Sequence, residues 1–241
     1  MKSTSTTVAA LPPSNDVRTY RRIRKAIGIL AFSLPLVLVI FSLVPFFQTT
    51  VQESISHYYF TNLRELFTGV LCAVGLFLCL YKGHTNTNIF KNDSLLTNIA
   101  GVLAFGIALM PTSPLTCTDK IYTIVPFCLN WLAWLHFGFA GVFFLVLSII
   151  SINVFTIGQV DNQEIPVSML NENHIYRACG YSMLVFIVLT PVCDYYNCFR
   201  YSTLIFETLM LIAFGISWLI KGRALGDSGT LGKMIYREDN A

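Results

Sequence analysis

The stretch Gln52–Phe67, QESISHYYFTNLRELF, holds the densest set of reactive side chains in the chain: Ser54, Ser56, His57, Tyr58, Tyr59, Thr61, Arg64 and Glu65. Serine hydroxyls beside an imidazole supply the types needed for a nucleophile and its general base. An arginine in the same stretch can hold an anionic head group through paired hydrogen bonds. Read as helix, His57, Thr61 and Arg64 fall at i, i+4 and i+7 and share one face. The stretch separates two long apolar runs, so its chemistry would sit at the rim of a membrane.

Further ionisable residues are expected in the same layer. Glu207 lies inside the apolar run TLIFETLMLIAFG, roughly 10 Å in from Arg200 at about 1.5 Å per helical residue. His136, in NWLAWLHFGFAG, reaches a similar depth, and Asp194 follows the preceding apolar run. An ionisable group at such a position costs about 2.5–3.5 kcal/mol to insert and usually faces the bundle interior. Two arrangements account for it. Glu207 pairs with Arg64 or His136 in a structural network, or the group lines a pocket with His57, Tyr58, Arg64, His136 and Glu207 as the ligand-binding set. In the second, Arg64 holds an anionic head group, and Glu207 with His136 orients it. No H-E-x-x-H or other compact ligand motif occurs, so neither a metal nor a cofactor is expected.

A second polar layer is expected at the opposite side. Glu172, His174, Tyr176 and Arg177 open one apolar run in NENHIYRACGYS, and Lys82 and Lys221 close two others. Arg177 and Lys82 are candidate contacts for lipid phosphates, or Arg177 pairs with Glu172.

The elements that must position these residues follow from composition. The 241 residues are 54% hydrophobic and 12% charged, about half the charge of a soluble domain. A net charge of +3 gives no support for a nucleic-acid partner. About 20 apolar residues cross a bilayer, and six runs qualify: Ala26–Phe47, Glu65–Tyr81, Leu95–Pro111, Trp131–Phe155, Tyr176–Val192 and Tyr201–Ile220. The expected fold is therefore all-α, a polytopic membrane helix bundle of about six transmembrane helices. It divides into a basic cytoplasmic tail (1–25), a membrane domain (26–221) and a cytoplasmic C-terminal tail (222–241). Ala26–Phe47 is too long for the apolar core of a cleaved signal.

Orientation follows from lysine and arginine. With a cytoplasmic N-terminus, 13 of the 16 fall on that side, leaving only Arg64, Lys120 and Arg200 outside. Both termini are expected in the cytoplasm, and the sequon Asn92-Asp93-Ser94 is expected unmodified. Cys117, Cys128, Cys193 and Cys198 then fall in outside loops, where disulfides form. Three pairings are possible; Cys117–Cys128 and Cys193–Cys198 are favoured because each closes a short loop. Small residues mark two expected sites of close helix approach. Ala100, Ala104 and Ala108 with Gly101 suggest a central third helix, and Gly138, Ala140 and Gly141 a contact on the fourth.

The segments SISHYYFTNLRELFTGVLCAVGLFLCLYKG, NIAGVLAFGIALMPT, IYRACG and ETLMLIAFGISWLIKG resemble an uncharacterised, mostly bacterial family of six-span integral membrane proteins. The resemblance covers most of residues 52–222. It implies a multi-pass protein of a bacterial inner membrane and brings no activity with it. The layout is also similar to that of the damage-regulated autophagy modulator family. A more distant likeness is to alkaline-ceramidase-like hydrolases, which use a Ser, an Asp and three His around zinc, with an HxxxH pair in the last helix. Here Ser54 and His57 are present, but Glu207 stands in the last helix without HxxxH, which argues against zinc hydrolysis. The expected function is binding of a membrane lipid or other amphiphile near the outer face. The alternatives are a membrane-embedded lipid hydrolase and a small transporter with a Glu/His proton relay.

Overall fold

The computed structural model describes residues 15–113, 125, 129–157, 172–226 and 230–236. Among these, every regular element is helical. The six long helices are α1 (Asn15–Ser42), α2 (Arg64–Leu80), α3 (Asp93–Leu109), α4 (Asn130–Ile149), α5 (Glu172–Tyr195) and α6 (Ser202–Lys221). A short α7 (Thr230–Ile235) follows. A π-helical turn over Ile150–Val154 prolongs α4.

Among the described residues, four segments are long and apolar enough to cross a membrane: Val17–Ser42, Trp131–Val154, Glu172–Tyr195 and Ser202–Lys221. The other two long helices, α2 and α3, have 17 residues each, about 25 Å at 1.5 Å per residue. The basic run Arg18–Lys25, expected as a tail, forms the first turns of α1, and that helix continues through Pro35.

Consecutive helices pack as neighbours, and α6 returns to pack against α1, so the six close into a ring. Two glycine seams permit the closest approaches. A Cβ on Gly28 would lie 2.8 Å from the Leu219 amide nitrogen, and one on Gly215 would lie 2.8 Å from that of Phe32, joining α1 to α6. Likewise a Cβ on Gly101 would meet the Gly75 carbonyl at 2.8 Å, joining α2 to α3. Close backbone contact of this kind replaces the hydrophobic drive that helices lack in lipid.

Expectations about packing are met in part. Ala100, Ala104 and Ala108 are fully buried, but α3 is one member of the ring, between α2 and α4, rather than its centre. Of the second expected site, Ala140 packs against the core, whereas among the described residues a Cβ on Gly138 or Gly141 would meet nothing within 4 Å.

Gln52–Phe67 is not one helix. Ser56–Phe60 forms a 3-10 turn, Thr61 is extended (φ −120°, ψ 175°), and α2 starts at Arg64. The Thr61 hydroxyl causes the break by bonding locally: it donates to the Tyr58 carbonyl (2.8 Å) and accepts from the Leu63 amide (3.2 Å). His57, Thr61 and Arg64 therefore share no helical face.

The disulfide expectation is also corrected. Cys193 and Cys198 are free thiols, although the Cys198 amide donates to the Cys193 carbonyl at 3.0 Å. Cys117 and Cys128 lie outside the described residues.

Candidate functional site

The alternation of the helices collects polar groups at both ends of the ring. At one end Glu207, near the start of α6, receives the loop that links α1 to α2. Its Oε2 accepts from the Ser54 hydroxyl (2.7 Å) and the Ile55 amide (2.6 Å), with the Ser56 amide beside it. The Leu204 amide donates to the Glu53 carbonyl (2.9 Å), and Arg200 pairs with the Glu53 carboxylate (3.0 Å). The carboxylate thus meets neither Arg64 nor His136 among its hydrogen-bond partners. It is held by the hydroxyl and amides of a tight turn, which suit a buried anion as well as a cation does.

His136 holds the same loop from α4. Its Nδ1 lies 2.7 Å from the Met110 carbonyl, and its Nε2 lies 2.9 Å from the Ser56 hydroxyl. A carbonyl only accepts, so Nδ1 carries the proton and Ser56 donates to Nε2. The result is a hydroxyl aimed at an imidazole whose tautomer is fixed by a third group, the arrangement that prepares a nucleophile. Tyr58 is fully buried, and its hydroxyl donates to Ser42 at 3.3 Å. Arg64 makes its ion pair with the adjacent Glu65 (3.5 Å) on the surface.

His57 stands beside this set. Its Nδ1 is buried and, among the described residues, has no hydrogen-bond partner. Burial holds the imidazole below the ordinary histidine value, against the opposing pull of the Glu53 and Asp194 carboxylates and the Ser113 backbone. The layer therefore unites His57, His136, Ser54, Ser56 and Glu207, with Tyr58 packed behind them and Arg64 on the outer rim. Among the described residues no group of three His, Cys, Asp or Glu could hold a metal ion.

The opposite end has a second cluster. Arg24 of α1 donates from both Nε (3.1 Å) and Nη2 to the Tyr81 hydroxyl, which donates to Asp93 Oδ2 at 2.9 Å. Lys221, the last residue of α6, donates to the Phe155 carbonyl (2.9 Å) and lies over the rings of Phe155 and Tyr176, 5.5 Å from each centroid. That carbonyl follows directly on the π turn. Trp218 packs edge-on against Tyr81 (5.5 Å) and Phe155 (5.2 Å). The His84 backbone lies beside the Asp93 carboxylate; among the described residues Asp93 Oδ1 and Trp218 Nε1 are buried without a hydrogen-bond partner.

The sequence placed Lys221 and Tyr176 in this layer; Arg177 and Lys82, its candidate contacts for lipid phosphates, are both exposed. Arg24 was hidden in the basic run and Asp93 in the sequon. Their only sequence signal is a tyrosine at the end of one helix facing a carboxylate at the start of the next. Compared with protein-family models, curated proteins and solved structures, the chain has no match in any of the three.

Proposed function

We propose that the chain is a six-span membrane protein with both termini in the cytoplasm, which binds the head group of a lipid or other amphiphile at its outer face. Each of the six long helices presents exposed apolar side chains, among them Ile40, Leu76, Val102, Phe137, Val188 and Ile205, as lipid contact requires. Trp131, Trp134, Tyr195 and Tyr196 are exposed near the Glu207 end, where an interfacial aromatic belt would lie. Placing the bacterial inner membrane around the ring rests on the resemblance, and the orientation on the lysine and arginine distribution.

The observation that carries the binding reading is the unpartnered buried Nδ1 of His57. Buried polar atoms are ordinarily satisfied, and an orphan is a place for a partner from outside the chain. In this reading His57 and Arg64 meet the head group, while Tyr58, His136 and Glu207 hold the loop that presents them. Native mass spectrometry of detergent-extracted protein tests it. A stoichiometric amphiphile should accompany the wild type and be lost on His57→Ala and Arg64→Ala with the fold retained. Equal retention by both variants rejects the reading.

A second reading, a membrane-embedded hydrolase of lipid esters, is favoured by the Ser56–His136–Met110 geometry. A fluorophosphonate probe should then label the wild type and fail to label Ser56→Ala; unchanged labelling of the variant, or none of the wild type, removes it.

A further inference from the structure

We infer that the Lys221 end holds a second site, one that takes a phosphomonoester oxyanion. The inference starts from two orphans. Asp93 is 4% exposed and Trp218 is 0% exposed, yet the Oδ1 of one and the Nε1 of the other have no partner. They are neighbours across one side chain: Tyr81 bonds Asp93 Oδ2 and packs its ring against Trp218. Leaving a buried donor and a buried acceptor unpaired around the same tyrosine is costly, and it is relieved by a guest that offers the reverse of each.

Charge says what that guest is. Arg24, Lys221 and Arg223 outnumber Asp93 and Glu172 among the groups that interact electrostatically around Lys221, so the cluster favours an anion. Lys221 gives one hydrogen bond, to the Phe155 carbonyl, out of three donors. Arg24 turns two of its donors onto a single tyrosine oxygen. The guest must accept from Trp218, Lys221 and Arg24 and also donate to the Asp93 carboxylate. A carboxylate ligand has no proton for that last contact. A phosphomonoester does: its second ionisation lies near pH 6, so a P–OH persists close to neutrality. The aromatic walls, Tyr81, Phe155 and Trp218, exclude water and strengthen each contact.

The shared chemistry fits a lipid phosphomonoester and free inorganic phosphate alike, and binding to the full-length protein in detergent separates them. Inorganic phosphate and a short-chain phosphatidic acid are titrated onto the wild type, Trp218→Phe, Asp93→Asn and His57→Ala, and bound mass and thermal shift are recorded. Trp218→Phe keeps a ring in the box and removes only the donor; it should bind about tenfold more weakly, the effect of one hydrogen bond to a charged group. Asp93→Asn, which retains an acceptor for Tyr81 and places a donor at the orphan position, should abolish the advantage of the protonated phosphate and flatten the pH dependence of binding. His57→Ala removes the proposed outer site, so the binding of either probe that it retains reports the Lys221 end alone. Binding of phosphatidic acid alone identifies a lipid head group, and binding of both probes a phosphate site open to solutes. No binding of either, or equal binding by wild type and Trp218→Phe, overturns the inference and leaves a cluster solvated by water.

Discussion

Helix α6 presents a charged residue to each end of the ring, and the two are accommodated in opposite ways. Glu207 is wrapped by its own chain: a serine hydroxyl and a backbone amide close on one carboxylate oxygen, and a second amide lies beside it. Lys221 is held by one carbonyl and two ring faces, with an unpaired carboxylate oxygen and an unpaired indole N–H nearby. The contrast shows that a buried charge does not by itself mark a ligand site. What separates a latch from a receptor is whether the surrounding donors and acceptors are used up inside the fold.

The sharpest way to break this comparison is to remove the latch. Glu207→Ala leaves the Ser54 hydroxyl and the Ile55 amide without their acceptor, at about 1–3 kcal/mol for each buried group. It should lower stability by at least about 2 kcal/mol, read as a fall in thermal midpoint in detergent. Glu207→Gln keeps an acceptor oxygen and should lose distinctly less. Equal midpoints for wild type and Glu207→Ala would mean that the loop is held by other contacts.

Next in size is the α1–α6 seam. Gly215→Ala forces a methyl against the Phe32 amide and the Gly28 carbonyl, and overpacking of this kind costs about 1–3 kcal/mol. Gly138→Ala, where a Cβ meets nothing within 4 Å, should be neutral or slightly stabilising in the same assay. At the second anchor, Ser56→Ala leaves His136 Nε2 without its donor. It should cost about 1 kcal/mol, less than His136→Ala, which also opens a cavity.

The smallest effect concerns pH. The His57 imidazole titrates below its ordinary value of 6.5 when folded, so the unfolded chain binds the proton more readily. Its contribution is present above that ordinary value and is lost as pH falls through 6.5 toward the lower folded value. Thermal midpoints measured from pH 7.5 to 5 should therefore fall less in His57→Phe than in the wild type. Parallel curves would show that His57 is solvated in both states.

Much of the bundle could be read from the chain because insertion into lipid demands long apolar segments. Each expected run overlaps one long helix, and the Ala100–Ala104–Ala108 stripe is buried as its spacing implied. The site was less legible. That Glu207 and His136 needed internal partners followed from the cost of burying them, but the partners are backbone groups and hydroxyls of a loop, whose path no periodicity records. Thr61 broke the helix expected through His57 because its local hydroxyl bonds outweigh a face-based pattern. Gly28 and Gly215 lie 187 positions apart, so nothing in the local sequence of either helix announces that they meet.

That distance has a consequence for biosynthesis. The seam joins the first long helix to the last, so the ring stays open while the intervening four emerge from the ribosome. Until Ser202–Lys221 arrives, the first loop has no Glu207 carboxylate to close on, and Gly28 of α1 lacks the helix that packs on it. A chain terminated anywhere before Glu207 would therefore be an unsealed ring, exposing unpaired loop amides at one face and the aromatic box, without Trp218, at the other. Membrane quality-control proteases should clear such truncations, whereas chains cut after Tyr236 should persist.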